Sequence, residues 1–201
     1  MKLFKYATTA LAALALAPIA PASAQPVEYP ASYAQDRAEI EDLMARYLFA
    51  MDYFDIDAYV ETFTPDGEIE FASGTYTGRE DIRAAVTRFK EGIGQFYTTE
   101  DGEPAALRHV LLQSVVRVEG DRAWSTSLWM EMANDGPEDS FKMGTFGIYK
   151  DELVKQDGHW LFAKRVILNE FLEGRESGPG NPVGEIDSAA DAYAAAVAAI
   201  Q

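Results

Sequence analysis

"RHVLLQSVVRVEGDRAWSTSLWMEM", residues 108–132, decides the fold. Two runs rich in strand-forming residues, Arg108 to Val118 and Arg122 to Met132, flank Glu119-Gly120-Asp121, which has turn chemistry. Toward the C-terminus the pattern repeats. Lys142 to Lys155 and His159 to Phe171 read as two further strands, joined through Asp157-Gly158, a short-hairpin signal. Four long strands in succession make an antiparallel meander.

The chain before this meander has a different period. Asp36-Arg37-Ala38-Glu39 has the form of a capping box with Asp in place of Ser or Thr. Ile40, Leu43, Met44, Tyr47, Leu48 and Met51 follow at helical spacing, which predicts an amphipathic helix of about four turns ending near Asp52. A short second helix is expected over Ile56 to Phe63, stopped by the turn Thr64-Pro65-Asp66-Gly67. Glu68 to Phe71 and Gly74 to Thr77 suggest a small hairpin. A third helix opens at Gly78-Arg79-Glu80-Asp81, with Ile82, Ala85, Val86 and Phe89 on one side, and Gly92 to Ala106 reads as a loop. Helices first and a meander afterwards is the order of an α+β fold in which a curved, mostly antiparallel sheet wraps around N-terminal helices.

The ends of the chain divide off. Residues 1–24 carry Lys2 and Lys5, an Ala/Leu-rich run and Ala22-Ser23-Ala24 before Gln25, and read as a secretory signal peptide, which predicts a periplasmic or secreted protein. Residues 25–173 form the α+β domain. Residues 174–201 are a Gly/Pro-rich linker followed by an Ala-rich helix, Ile186 to Ile200, read either as docked on a sheet or partner or as a lid over a pocket.

Composition excludes several functions. Without the two signal lysines, 15 basic side chains face 33 acidic ones, a net charge of −18 that repels phosphate backbones and anionic lipid. No nucleic acid or membrane partner is expected after processing. With two histidines and no cysteine, a structural zinc site is not expected and no disulfide can form.

Two residues stand out chemically. Strand alternation puts His109, Leu111, Gln113, Val115 and Arg117 on one face, and a His at the start of a strand on a concave face can sit at the mouth or floor of a pocket. Asp52 ends a hydrophobic helix among Phe49, Tyr53 and Phe54, at the negative pole of the helix dipole, where a carboxylate costs about 0.3–1 kcal/mol. Burial there demands a partner. A histidine is a suitable one, because the carboxylate fixes its tautomer and stabilises an imidazolium. His159 reads as an exposed turn residue.

The segments "RAEIEDLMARYLFAMD", "FTPDGEIEF", "YTGREDIRAAV", "RHVLLQSVVRVEGDRAW" and "DGHWLFAKRV" occur in the order seen in SnoaL-like proteins of the nuclear transport factor 2-like superfamily. The chain resembles that family from Tyr33 to Asn169. The resemblance implies a cone-shaped barrel with a deep apolar pocket, commonly in a homodimer or homotrimer. Within the family, scytalone dehydratase and hexachlorocyclohexane dehydrochlorinase are similar in carrying an Asp at the end of the first helix and a His at the start of the long strand, the positions of Asp52 and His109. There the pair removes a proton and a neighbouring group leaves, with no metal or coenzyme. The chain departs from both. Ile148 stands where the dehydrochlorinase has an arginine, and Ser125, Ser127 and Trp129 occupy the strand that carries a second pocket histidine in scytalone dehydratase.

The expected activity is that of a cofactor-independent lyase removing water or formaldehyde from a hydrophobic, aromatic, hydroxylated small molecule. His109 is read as the base and Asp52 as its orienter, with Tyr47, Tyr53 or Arg117 polarising the leaving oxygen. Phe49, Phe54, Phe71, Trp129 and Phe146 are the aromatic wall. Deformylation of lignin-derived diarylpropanes, as in diarylpropane lyases that resemble this family, is the favoured specific reaction. A non-catalytic binding or assembly module and an isomerase or cyclase using the same base are the alternatives.

Overall fold

The computed structural model describes residues 29–200, except 73 and 94. The signal-peptide reading of residues 1–24 lies outside the described residues. Helix α1 (Tyr33–Asp52) and α2 (Ile56–Glu61) lead into β1 (Phe63–Phe71) and β2 (Gly74–Thr77), followed by α3 (Arg79–Ile93). Then come β3 (Leu107–Glu119), β4 (Arg122–Ala133), β5 (Lys142–Gln156), β6 (His159–Asn169) and α4 (Val183–Ala198). The six strands form one sheet in the order β2-β1-β6-β5-β4-β3, antiparallel throughout except at β1–β6. The expected α+β architecture is therefore present, with α1 and α3 packed against the inner face of the sheet.

Two details differ from the sequence reading, and a third falls on one of its alternatives. Asp36 is not a cap: α1 begins at Tyr33, and the buried Asp36 carboxylate accepts hydrogen bonds from Lys155 Nζ (2.9 Å) and Trp160 Nε1 (3.2 Å), pinning the helix to the β5–β6 hairpin. Thr64-Pro65-Asp66-Gly67 does not end the second helix before a hairpin. It lies within β1, as the irregularity by which pairing with β6 jumps from Phe63 to Glu68. The C-terminal helix takes the docked alternative rather than the lid. It lies on the outer face of β3 and β4, with Ile186 and Ala190 buried, Lys150 Nζ on Glu185 at 2.7 Å, and Arg117 paired to Asp187 at 2.9 Å.

Within the core, Arg165 is fully buried and bonds Asp151 through two nitrogens at 2.7 and 2.8 Å. Ser125 Oγ donates to the same carboxylate at 2.9 Å. The guanidinium carbon lies 4.0–4.4 Å from the ring centres of Tyr47, Phe162 and Tyr149, so aromatic faces replace much of the water it lost.

Two bulges decide which side chains face inward. In β3, Leu111 pairs with Trp129 but Ser114 pairs with Ser127, so β3 spends one more residue than β4 over the same span. That extra residue reverses the alternation, and Val116 and Val118, rather than Val115 and Arg117, face the core beyond it. In β5, Met130 pairs with Phe146 and Met132 with Met143, so Gly144 and Thr145 together oppose Glu131.

Candidate active site

The end of α1 meets the sheet at its edge. β3 pairs only with β4, which leaves the N–H groups on its other side without a strand partner. Asp52 fills that vacancy at His109. Its carboxylate accepts the His109 backbone N–H (2.9 and 3.1 Å) and stands 2.7 Å from Nδ1, so one residue fixes both the backbone and the ring. The helix stops there because Phe54 takes a left-handed backbone (φ 54°) and Asp55 caps α2 by accepting from the Ala58 N–H at 3.1 Å. A carboxylate closes this hydrophobic helix because the edge strand and its histidine need one.

The other imidazole nitrogen faces a second carboxylate that sequence reading missed. Glu131 Oε2 lies 3.5 Å from His109 Nε2. Its Oε1 accepts from the Tyr97 hydroxyl, from the Thr145 N–H at 3.1 Å and from the Thr145 hydroxyl at 3.0 Å. Asn169 Nδ2 in turn donates to Thr145 Oγ1 at 3.2 Å. The side chains of Asp52, His109 and Glu131 are each less than a tenth exposed.

Electrostatics follows from this geometry. Burial alone would strip the proton from His109, but the hydrogen bond to Asp52 and the negative charges facing both ring nitrogens outweigh it and raise the pKa to about 9. Burial likewise opposes the charge on Glu131. The facing His109 ring, the Tyr97 hydroxyl and the Thr145 N–H prevail and hold the pKa at about 2. At neutral pH the centre is an imidazolium between two carboxylates. The two facing carboxylates thus bias the ring toward its protonated form.

His109 and Glu131 open onto a cavity of about 600 Å³. Its walls are mostly apolar, from Met51, Ile69, Phe71, Val86, Phe89, Trp129 and Ile167. Its polar groups besides the pair are Tyr97, Thr145, Asn169 and Arg175, with the hydroxyl-bearing rings of Tyr59 and Tyr149. Of the aromatic wall expected from sequence, the cavity receives Phe71 and Trp129. Phe49 and Tyr53 are exposed and stack on each other at i, i+4, on the side of α1 away from the core. Phe54 lies in the inter-helix turn beneath Lys90. Phe146 points outward against Phe171, because the β5 bulge turns Thr145 inward instead.

The assisting groups proposed from sequence are not in the cavity either. Tyr47 is fully buried, its hydroxyl accepting from Tyr59 at 2.7 Å beside Arg165, and burial raises its pKa further. Arg117 is carried outward by the β3 bulge to the acids of α4. Among the described residues, no group of three or more His, Cys, Asp or Glu is placed to hold a metal ion, and no helix is long and apolar enough to cross a membrane.

A curved sheet around an N-terminal helix, with a pocket between them and an Asp–His pair at its edge, defines a class of small-molecule-binding proteins that includes enzymes. The SnoaL-like domain matches residues 32–166, and the chain belongs to the SnoaL-like family. No curated protein matches the chain. Among solved structures, the Mycobacterium tuberculosis protein Rv3472, of unknown function, is 25% identical, with 79% of this chain and 96% of that one covered at a TM-score of 0.58. A Catenulispora acidiphila protein in complex with S-DNPA is 24% identical over 68% of this chain and 95% of that one, with a TM-score of 0.58. A Novosphingobium aromaticivorans protein described as a scytalone dehydratase is 23% identical over 75% and 95%, at 0.55. The last two likenesses establish the fold.

Proposed function

We propose that the protein is a cofactor-independent lyase that removes water or formaldehyde from a neutral, hydrophobic, hydroxylated aromatic compound. The observation that carries this reading is the orientation of His109: Nδ1 is bound to Asp52 while Nε2 opens onto a largely apolar cavity of drug-like size. Here the ring enters the cycle protonated and gives its Nε2 proton to a departing oxygen, a contribution of roughly 10²–10⁴ in rate. Asp52 keeps the ring oriented and compensates its charge.

The favoured substrate is a diarylpropane bearing a benzylic and a primary hydroxyl on alternate carbons. The aromatic rings match Phe71, Trp129 and Phe89, and the two hydroxyls match His109 and Glu131, which line the same cavity. With residues 1–24 acting as a signal peptide, the enzyme works in the periplasm or outside the cell, as a homo-oligomer.

The test is mass spectrometry of the protein incubated with a panel of hydroxylated mono- and diaryl compounds without added metal or coenzyme, beside His109→Ala and Asp52→Asn. Loss of water or formaldehyde by the wild type alone supports the lyase. A product of unchanged mass would make it an isomerase or cyclase. Tight binding without turnover would make it a binding module.

A further inference from the structure

We infer that Glu131 is a second catalytic residue, the acceptor of the substrate proton, working opposite His109 as the donor. This assignment rests on the lyase reading above and supplies the base that the protonated His109 cannot be.

An anion on the inner face of a sheet, in a cavity walled by apolar side chains, is expensive unless every acceptor site is used. Three donors converge on Oε1: the Tyr97 hydroxyl, the Thr145 N–H and the Thr145 hydroxyl, which Asn169 braces. Oε2 is treated differently. It faces His109 Nε2 across 3.5 Å, beyond a normal N–H···O bond, on the side lined by the cavity. One oxygen is anchored and the other is held where a ligand hydroxyl can enter between carboxylate and imidazolium.

The backbone is also shaped around this group. The β5 bulge sets Gly144 and Thr145 opposite Glu131, which brings the Thr145 N–H onto Oε1. A Cβ on Gly144 would lie 2.6 Å from Oε1 and 2.9 Å from the Tyr97 hydroxyl. Orientation of His109 does not call for this construction, because Asp52 already holds the ring and the strand from the far side. A second carboxylate on the cavity side is what a proton transfer would require.

The chemistry closes on itself. In a 1,3-diol, the benzylic C–O bond breaks and its oxygen leaves as water with the Nε2 proton. The primary hydroxyl gives its proton to Oε2, the C–C bond to that carbon breaks, and the released electron pair forms the carbon–carbon double bond. The products are an alkene, water and formaldehyde, and no oxidant is needed. His109 is then neutral and Glu131 protonated, and one proton passing from Oε2 to Nε2 restores the pair. In simple dehydration the proton taken by Glu131 comes from carbon. With a carboxylate on either side of the ring, the centre takes a neutral hydroxyl and disfavours a carboxylate near Nε2.

The experiment follows formaldehyde and alkene release from a 1,2-diarylpropane-1,3-diol by the wild type, Glu131→Gln, Glu131→Asp and Glu131→Ala, with thermal melting to confirm folding. Glu131→Gln keeps the shape and should lower kcat by about 100-fold or more while KM changes little. The Asp variant should recover part of that loss. Added formate should restore turnover to Glu131→Ala in a saturable way, which a prop for the Tyr97 loop would not show. Should the Gln variant fail to fold, the Asp and Ala variants with formate carry the test. If Glu131→Gln retains more than about a tenth of wild-type kcat, or formate does nothing for a folded Ala variant, the assignment falls while the lyase stands. If the wild type releases nothing from any hydroxylated substrate, the lyase reading falls and takes this role with it.

Discussion

Replacing Asp52 by Asn should lower the proton affinity of His109 at least about tenfold, or about 1.4 kcal/mol. In the wild type, the rise from 6.5 to about 9 corresponds to about 3 kcal/mol in favour of the imidazolium, and that preference is built by Asp52 and Glu131 against the penalty of burial. Asn removes one of the two charges. If its oxygen stays on Nδ1, its NH2 takes the place of the oxygen that accepts the His109 backbone N–H at 2.9 Å, so one donor is left facing another. The sign of the pH dependence is set by the direction of the shift. A pKa raised by folding contributes stability that is fully present below about 6.5 and is lost as pH rises through about 9. The wild type should therefore lose up to about 3 kcal/mol of unfolding free energy across that window, and Asp52→Asn should lose distinctly less. Histidine NMR is a clean assay, because the chain has only two histidines and His159 is exposed at the start of β6. Urea unfolding at the two ends of the window supplies the second measurement. An unchanged His109 midpoint in the variant would refute the reasoning. The groups facing the ring are Asp52, Glu131 and, through Glu131, Tyr97, and each would then need another role.

The same pair predicts the acid side. Glu131's lowered pKa contributes stability present above about 4.5 and lost as pH falls through about 2, so Glu131→Gln should flatten that limb in an acid titration of stability. Turnover by a protonated His109 should decline above about pH 9, whereas a neutral His109 acting as base would gain rate there; a pH–rate profile separates the two. Gly144→Ala, whose Cβ meets Glu131 and Tyr97, should cost about 1–3 kcal/mol in thermal unfolding and displace the carboxylate, lowering kcat. Tyr47→Phe should cost about 1 kcal/mol through the lost Tyr59 bond, with turnover unchanged because Tyr47 does not reach the cavity. Arg165→Met leaves Asp151 buried without its countercharge and should cost about 3–5 kcal/mol by denaturant titration.

How much of this was legible in the sequence depended on local regularity. The helical period of Ile40 to Met51 and the turn chemistry at Gly120 and Asp157-Gly158 carried the architecture, because there the local signal and the tertiary packing agree, unlike at Thr64–Gly67, which pairing with β6 absorbs into β1. Asp52 and His109 could be paired for a related reason: one ends a helix and the other begins a strand, and neither position depends on register. Arg117 and Phe146 were misplaced because each lies beyond a bulge, and a single inserted residue inverts every later side chain. Alternation read through Leu112-Gln113 carries no sign of the insertion. Glu131 could have been found. It continues the parity of Ser125, Ser127 and Trp129 on a strand whose inner face is otherwise uncharged, and a lone acid there demands a partner. Tyr97 had no such signal, since it comes from a loop whose path is set by the Thr98–Pro104 bridge and by the carboxylate it binds.

The β3 bulge also divides the evolutionary freedom of the strand. Between Leu111 and Ser114 the chain crosses from a segment that presents chemistry to one that presents packing, and the two exposed residues at the crossing, Leu112 and Gln113, contribute to neither. Deleting one of them would put the two segments out of phase, turning either the histidine out of the cavity or the valines out of the core. A single codon lost there would be a larger change to this protein than most substitutions within the cavity.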